Sequence, residues 1–331
     1  MAPAALYVSG SALALAQAQP PRGQANGEYG VARLPVCMRA DALAKPSALS
    51  SVLAEQIKSL RAATDLSADC HLILAPEMYN LSLIERPEVD DDQVVDAVRW
   101  TIQDQVDYPV DDALLDVFDL PNSASRERPM VFVVSAQREL LRGLVQRVTD
   151  QDLRVNCIDV SELALRNLVW RCFPGADQSV ALLRLTANSG LISVSRGEEL
   201  YLSRRISGVP TDFAEDNWTE FRERMLLQVQ RSIDYYESAM GQPHCNVLMV
   251  ACTHGWSNRV CDYLTEMLAI PVRPISPLLQ DEIDLSLFNP QAEQIDWANL
   301  SEEQTNAVAA GLPALGGLFR PALAAAASEA A

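Results

Sequence analysis

The stretch LLRLTANSGLI (Leu182–Ile192) predicts two β-strands joined by a short polar turn. A turn of small polar residues between strands is a common place to hold a phosphate, because its backbone N–H groups can approach the ligand closely. Here the first strand carries Arg184 and no acidic residue, and the turn opens on Thr186, where a backbone cradle favours glycine. The stretch can therefore be a working phosphate loop, a degenerate one or a plain hairpin.

Strands and helices alternate on both sides of this hairpin. Before it, the patterns predict a strand pair within 6–17, a helix at 48–62, a strand at 71–76, a helix at 91–106, strands at 113–120 and 130–136, a helix at 137–150, a strand at 154–160 and a helix at 161–169. After it come a strand meander to 206, a helix at 219–240, a βαβ unit over 246–273 and a helix at 304–319. This alternation predicts an α/β fold with mixed sheets, and the two halves share one plan.

Composition excludes several classes of partner. The 331 residues carry a formal net charge of −18, so nucleic acid and anionic lipid are poor partners for the bulk surface. The apolar N-terminal run has no preceding Lys or Arg, so an export signal is not expected, and no uninterrupted apolar run reaches the roughly 18 residues of a membrane span. Seven scattered cysteines predict reduced thiols and a cytoplasmic protein.

One acidic segment carries a family resemblance. The run RPEVDDDQVVDAVRWTIQDQVDYPVDDALLDVFDLP (86–121) resembles the PilM-like type IV pilus assembly proteins, and most closely their MshI branch, which serves mannose-sensitive haemagglutinin (MSHA) pili. Its distinctive elements are Ala97-Val98-Arg99-Trp100, Tyr108-Pro109 and Asp116-Val117-Phe118. The runs IDVSELAL (158–165), RSIDYYES (231–238) and DYLTEMLAIPV (262–272) also match, in the same order along the chain.

The resemblance implies an actin-like fold. In this fold two ribonuclease-H-like lobes with mixed five-stranded sheets surround a cleft, and a small α/β subdomain is inserted in the first lobe. We expect the first lobe at 1–178 plus 304–320, with the inserted subdomain at about 77–155. The second lobe then spans 179–303, and 321–331 forms a disordered tail.

The same resemblance identifies the positions that would hold ATP, and all three depart from the pattern. At the first hairpin Tyr7 stands in place of the metal-binding Asp and Ser9 in place of Gly, with Gly10 and Ser11 beside them. At the second hairpin Arg184 replaces the Asp and Thr186 the Gly, with Asn188 in the turn. At the adenosine turn Cys252-Thr253-His254 replace three glycines, and Gly255 follows.

These departures predict a degenerate nucleotide site. Loss of both carboxylates removes most of the favourable charge for Mg²⁺, and the added Cβ atoms crowd the adenosine turn. Arg184 could still attract a phosphate by its charge. We therefore expect no catalytic residues, no metal and no cofactor, with residual ATP and Mg²⁺ binding as the alternative.

By resemblance, the protein is expected to be a non-enzymatic cytoplasmic adaptor. Its partner would be the cytoplasmic N-terminus of a PilN-like, here MshJ-like, single-pass inner-membrane protein, and it could also face the pilus assembly ATPase; it would reach the membrane only through its partner. The expected contacts are Val94, Val98, Trp100, Asp104, Tyr108 and Pro109. The alternatives are an ATP-dependent actin-like switch and a GspL-like component of a type II secretion system.

Several residues allow two interpretations. Trp100 lies about 200° round the helix from Val98, so it either packs elsewhere in the chain or anchors a partner. The Asp90–Asp92 run can cap a helix together with Gln93, or dock a basic peptide. The apolar stripe of the 219–240 helix is a core face or a partner seam.

The sequence also contains residue types that can bind metal or act as nucleophiles. Cys245, Cys252 and His254 lie near one another in the chain, but their spacing matches no zinc pattern. We expect the cysteines to pack as small apolar side chains.

Overall fold

The computed structural model describes residues 4–9, 12–18, 32–33, 38–39, 57–58, 69–124, 128–173, 178–186, 189–210, 214–253, 256–279, 283–284, 296 and 300–320. Most of the predicted 48–62 helix and the whole 321–331 tail lie outside these ranges. None of the described helices combines the length and the apolar content needed to cross a membrane.

The first sheet is mixed and is built around the first hairpin. Its main strands are β1 (Ala4–Val8), β2 (Ala12–Ala18), β5 (Asp69–Leu74) and β9 (Arg154–Val160), extended by the two-residue strands β3 (Ala32–Arg33), β4 (Met38–Arg39) and β15 (Ile283–Asp284). The order is β15-β3-β2-β1-β5-β9, with β4 also on β2. Among the described residues this sheet thus has seven strands where five were expected, because two-residue strands are too short to show a period-2 pattern.

The second sheet repeats the same plan. It contains β10 (Ser179–Thr186), β11 (Ser189–Arg196), β12 (Glu199–Ile206), β13 (Val247–Cys252) and β14 (Val272–Pro274), in the order β12-β11-β10-β13-β14. β11 pairs antiparallel with both β10 and β12, whereas β13 pairs parallel with both β10 and β14. The first sheet has the same pairing pattern, because its hairpin strands β1 and β2 are antiparallel while β1, β5 and β9 are parallel. The expected pair of ribonuclease-H-like sheets is therefore confirmed.

A small antiparallel sheet forms the inserted subdomain. Its strands are β6 (Asn80–Glu85), β7 (Ala113–Asp119) and β8 (Met130–Gln137), in the order β6-β8-β7. Helix α1 (Val94–Thr101) covers one face and buries Val94, Val98 and Ile102 against that sheet. Such burial of an apolar stripe is what stabilises a short helix.

Helix α1 is shorter than the helix predicted at 91–106. Only the eight residues of α1 are α-helical, and Ile102 caps their C-terminal end. On either side, Asp91–Gln93 and Gln103–Gln105 form 3₁₀ turns. The predicted Asp90 cap is wrong, since its side chain makes no capping hydrogen bond. Arg86 instead binds the Asp91 carboxylate at 2.5 Å.

The remaining helices are α2 (Arg138–Thr149), α3 (Ser161–Cys172), α4 (Glu215–Asp234), α5 (Ser257–Met267) and α6 (Glu302–Leu318). α4 continues into a π-helical turn, Tyr235–Ala239, and its stripe Phe221, Met225, Val229, Ile233 and Tyr236 is buried. This helix therefore contributes a core face. The capping box of α6 starts it two residues before the predicted position, because Ser301 Oγ accepts from the Gln304 N–H at 3.2 Å.

Two contacts bear on the lobe boundaries, which otherwise remain predictions. β15 pairs with β3 of the first sheet, although it lies in the range assigned to the second lobe. Leu141, Leu144 and Val148 of α2 pack into the core of the first sheet, although α2 lies in the range assigned to the inserted subdomain. These two elements therefore belong with the first sheet.

Helices α3 and α6 lie between the two large sheets and unite them. One continuous core contains Ala5 and Ile73 of the first sheet, Leu182 of the second, and Leu168 and Leu315 of these helices. The helices cross at very short range: a Cβ placed on Gly316 would lie 1.9 Å from the carbonyl oxygen of Ala164. The glycine is required by this approach.

We expect Gly316→Ala to destabilise the protein by about 3 kcal/mol, because backbone of α3 must move to admit the methyl group. Gly143→Ala is the matched control. There a Cβ meets only the flexible end of Arg147 at 3.0 Å, and alanine is a better helix former by about 1 kcal/mol. Urea unfolding measures both, and equal effects at the two glycines would contradict the close crossing.

Candidate functional site

The stretch Leu182–Ile192 forms the second hairpin, between β10 and β11. Thr186 pairs with Ser189, and Thr186 Oγ1 donates to the Ser189 carbonyl at 3.3 Å. Gly190 is needed for packing, because a Cβ there would lie 2.7 Å from Cβ of Ile206. The stretch is therefore a tight hairpin whose glycine serves the sheet. The other turn positions, Gly10, Ser11, Asn188, His254 and Gly255, lie outside the described residues.

Tyr7 and Arg184 meet between the two lobes. They occupy the positions where the resemblance places the metal-binding carboxylates, and they are 3% and 4% exposed. The guanidinium carbon of Arg184 lies 5.3 Å from the centroid of the Tyr7 ring. This is cation–π distance, and such contacts strengthen when water is excluded.

Pro313 of α6 explains which backbone group the buried Arg184 guanidinium binds. A proline inside a helix has no N–H, so the carbonyl four residues earlier loses its helical partner. That carbonyl belongs to Ala309, and Arg184 Nε donates to it at 2.7 Å. Arg184 Nη2 also lies 3.4 Å from the carbonyl oxygen of Ala310. Arg184 therefore satisfies the acceptor that Pro313 leaves open in the middle of a buried helix.

This arrangement opposes nucleotide binding at the hairpins. A cation and an aromatic ring occupy the place where Mg²⁺ would need carboxylates. The guanidinium of Arg184 is directed at helix carbonyls and the Tyr7 ring, and its attraction of a phosphate stays a prediction. A phosphate could recruit it only by removing those contacts.

The third turn is held by its own hydrogen bonds. The Cys252 N–H donates to Ser257 Oγ at 3.0 Å, and the Thr253 N–H donates to the Leu185 carbonyl at 3.0 Å. Burial raises the pKa of Cys252, and it raises that of Cys245 to about 11. Both are thus poor nucleophiles. Across the described residues, no group of three or more His, Cys, Asp and Glu side chains could hold a metal ion.

An aromatic cluster follows this turn directly, and no spacing in the sequence predicts it. The guanidinium carbon of Arg259 lies 4.7 Å from the ring centroid of Trp256 and 5.0 Å from that of Trp218. Arg259 Nη2 also donates to Glu215 Oε2 at 2.6 Å. Arg259 therefore links the side chains beside the position of the adenosine turn into one cluster.

A buried carboxyl joins the lobes at a second place. Tyr79 donates its hydroxyl hydrogen to Glu162 of α3, and Ser203 Oγ of β12 lies 3.4 Å from Glu162 Oε1. Arg205 of β12 donates to the carbonyls of Tyr79, at 2.9 Å, and of Pro76. Burial raises the pKa of Glu162 above its usual range despite these donors. From sequence, Glu162 is indistinguishable from an ordinary first-turn helix acid.

The predicted partner contacts divide into two groups. Val94 and Val98 are 1% and 0% exposed within the subdomain core, so they cannot touch a partner without disrupting it. Trp100 is 69% exposed, which removes the interpretation that it packs within the chain. Asp104 and Pro109 are exposed, and Tyr108 is half-buried.

Leu114 of β7 is an exposed apolar residue that the sequence analysis did not single out. It is 38% exposed and stands opposite Ala136 in the β7–β8 ladder. Ala136 belongs to the core of the first lobe, so Leu114 lies where the inserted subdomain meets that lobe. An alternating pattern in 113–120 predicts the strand but cannot tell which face remains uncovered.

A groove at one end of the subdomain has both of its lining arginines in ion pairs. It has a volume of about 980 Å³ and lies between residues 85–90 and 128–129. Arg128 binds Glu85 at 2.7 Å, and Arg86 binds Asp91 and Asp119. Both arginines of the lining are therefore engaged within the chain, whereas Glu88 and Asp90 of the lining form no ion pair with another described residue.

Searches against protein-family models and curated proteins found no match. Solved structures do match: a chain of a "PilM-PilN type IV pilus biogenesis complex" superposes with a TM-score of 0.67 at 19% identity, covering 96% of this chain and 97% of that one. A Bacteroides thetaiotaomicron protein with an actin-like ATPase fold gives a TM-score of 0.51 at 8% identity, covering 84% and 91%. The chain has an actin-like ATPase fold. A further match is the cytoplasmic domain of EpsL, from the type II secretion system of Vibrio cholerae, with a TM-score of 0.47 at 12% identity, covering 94% of each chain.

Within this actin-like fold, the contact of Arg184 with Ala309 can be tested by a double-mutant cycle. We expect Arg184→Met to destabilise the protein by about 1–3 kcal/mol, since the Ala309 carbonyl is left buried without a donor. In a Pro313→Ala background the residue-313 amide can serve that carbonyl, and the cost of Arg184→Met should fall. Urea unfolding of the four proteins measures the coupling. Equal costs in both backgrounds would contradict the assigned role of Pro313.

The buried Glu162 predicts a pH dependence with a definite sign. Its raised pKa means that the folded state holds this proton more tightly than the unfolded state. Its contribution to stability is present below the usual value of 4.5 and is lost as pH rises through the raised pKa. Glu162→Gln should therefore gain stability relative to wild type as the pH rises above 4.5 and through the raised pKa. Thermal melts across this range test it, and parallel curves would contradict it.

Proposed function

We propose that this protein is a non-enzymatic cytoplasmic adaptor of a type IV pilus machine. In this proposal it binds the cytoplasmic N-terminus of a PilN-like inner-membrane protein and reaches the membrane only through that partner. The MSHA system, with an MshJ-like partner, is the specific machine that the 86–121 segment favours. The pilus assembly ATPase is a second candidate partner.

The observation that carries the proposal is the contact between Tyr7 and Arg184. Tyr7 and Arg184 occupy the two carboxylate positions and are bound to each other and to α6. An actin-like frame with its cleft closed by its own side chains retains its surfaces for binding other proteins. Similarity over nearly the whole length to a chain of a PilM–PilN complex supports this reading.

The inserted subdomain offers a place for an extended peptide. Among the described strands, β6 and β7 each pair with β8 alone, so each leaves one edge open. An added strand gains main-chain hydrogen bonds there, and apolar side chains of the sheet fix its register. Leu114 supplies such a side chain at the boundary with the first lobe. We place the partner peptide along β7, with Tyr108 and Pro109 near its end.

The test is binding of a synthetic peptide that reproduces the N-terminal cytoplasmic segment of the PilN-like protein from the same genome. We expect a Kd below about 100 μM by calorimetry, and a loss of about tenfold for Leu114→Arg. Leu227→Arg is the matched control, because Leu227 is 45% exposed on α4 of the second lobe. Absence of binding, or equal losses for both variants, would refute the adaptor mechanism as placed here.

A second arm separates the adaptor from an ATP-dependent switch. A ligand that binds the folded state must raise the melting temperature when present above its Kd. We expect millimolar Mg-ATP to leave the melting temperature of the full chain unchanged. A rise that Arg184→Glu abolishes would favour the switch. A GspL-like role would appear instead as selective binding to a type II secretion partner.

A further inference from the structure

Trp100 is unusual among the exposed side chains of this protein. It is 69% exposed, and it projects from α1 on the side opposite to the buried Val94, Val98 and Ile102. Large aromatic side chains are mostly buried in a folded chain, and exposed tryptophans are enriched where partners bind. The subdomain core does not need this side chain, so its place in the sequence requires another reason.

The surroundings of Trp100 define the chemistry of its ligand. Asp96 lies four residues before Trp100 and Asp104 four residues after it, and both are exposed. Residues four apart share one face of a helix, so Asp96 and Trp100 are neighbours, and the 3₁₀ turn at Gln103–Gln105 continues from that end. Within the part of the chain that the structure describes, neither aspartate forms an ion pair.

The cations of this segment are used elsewhere. Residues 85–121 carry twelve Asp and Glu but only Arg86 and Arg99. Arg86 pairs with Asp91 and Asp119, and Arg99 donates to the carbonyls of Val110 and Ala113 at 2.8 and 3.3 Å. The exposed face of α1 therefore has an aromatic ring and negative charge, and no cation of its own segment is available to it.

We propose that the exposed face of α1 at Asp96 and Trp100, together with Asp104 of the 3₁₀ turn that follows it, docks a basic, arginine-bearing segment of another protein. A guanidinium stacks on the face of an indole and at the same time donates to flanking carboxylates, which one lysine ammonium does less well. The protein itself uses this pairing, since Arg259 lies over two tryptophan rings and binds Glu215. At Trp100 the ring and carboxylates are present, and the arginine is left for a partner to supply.

This inference deepens the proposed adaptor role, because it states the chemistry that a second face of the subdomain recognises. The face is distinct from the β7 edge. Trp100 points away from the sheet, whereas Leu114 lies on the sheet face that α1 does not cover. The two surfaces can therefore be tested separately.

The experiment measures binding of a fluorescein-labelled peptide with three arginines spaced by glycines to the full chain, by fluorescence anisotropy at low salt. The same peptide with lysines, and the same with glutamates, serve as probe controls. We expect the arginine peptide to bind tighter than the lysine peptide. Trp100→Ala should weaken arginine-peptide binding by at least about fivefold, and Trp100→Phe by less.

A charge-matched pair of variants separates this site from general attraction to a chain of net charge −18. Asp96→Asn with Asp104→Asn should weaken binding and reduce its salt dependence. Glu223→Gln with Asp234→Asn removes the same charge from exposed positions on α4 and should change the affinity less than twofold. All variants lie at exposed positions, and unchanged melting temperatures confirm that they fold.

Two results would overturn the inference. One is arginine-peptide binding that is unchanged by Trp100→Ala. The other is an equal loss in the two charge-matched pairs, which would mean attraction by the whole chain. Because this assay contains no PilN-like peptide, its failure leaves the adaptor test unaffected. Failure of the PilN-like peptide to bind would likewise leave the arginine face standing.

Discussion

The fold depends on one helix that two sheets must share. α6 lies between the first and second sheets and crosses α3 so closely that Gly316 cannot carry a side chain. The same helix contains Pro313, which removes one backbone hydrogen bond in the middle of this dry layer. A buried carbonyl without a donor costs free energy, so the helix needs an external donor at that point. Arg184 of the second sheet provides it, and Tyr7 of the first sheet covers the guanidinium.

This constraint decides what the cleft can do. A nucleotide-driven switch needs a ligand that binds one arrangement of the lobes better than another. Here the groups that would sense such a ligand already hold the two lobes through α6, and Glu162 joins them again through Tyr79 and Ser203. Opening the cleft would break buried polar contacts at both places. The contacts at these two places therefore connect the lobes without a ligand.

Sequence reasoning succeeded where the signal is local. Hairpins, the βαβ unit over 246–273 and the stripe of α4 follow from periodicity and were found close to their observed bounds. It failed where a side-chain contact outside the helical pattern decides. The acidic run at Asp90–Asp92 predicts a cap by Asp90, but that side chain makes no capping hydrogen bond, and the neighbouring Asp91 forms an ion pair with Arg86. Strands of two residues carry no pattern at all.

The candidate site shows the same limit more sharply. The loss of carboxylates at Tyr7 and Arg184 is visible in the sequence, given the resemblance. Their contact with each other, and the link from Arg184 to the carbonyl freed by Pro313, join residues that are more than a hundred positions apart. Trp100 could be placed off the apolar stripe from helical geometry alone. Only the packed structure shows that it stays exposed and that none of the described elements covers it.

The inserted subdomain is suited to present such a surface because it is held by both lobes. Its β8 leads into α2 of the first lobe, while Ser123 Oγ lies 3.2 Å from Tyr201 Oη and Gln242 Nε2 donates to the Ser123 carbonyl at 2.6 Å in the second. Phe118 and Phe132 stack at 4.9 Å on the face that meets the second lobe. A partner that binds α1 or β7 therefore meets a surface whose backbone is already ordered, and it loses less entropy than it would on a free loop. Contacts with both lobes thus fix the position of the subdomain, and the surfaces of α1 and β7 are presented from a fixed frame.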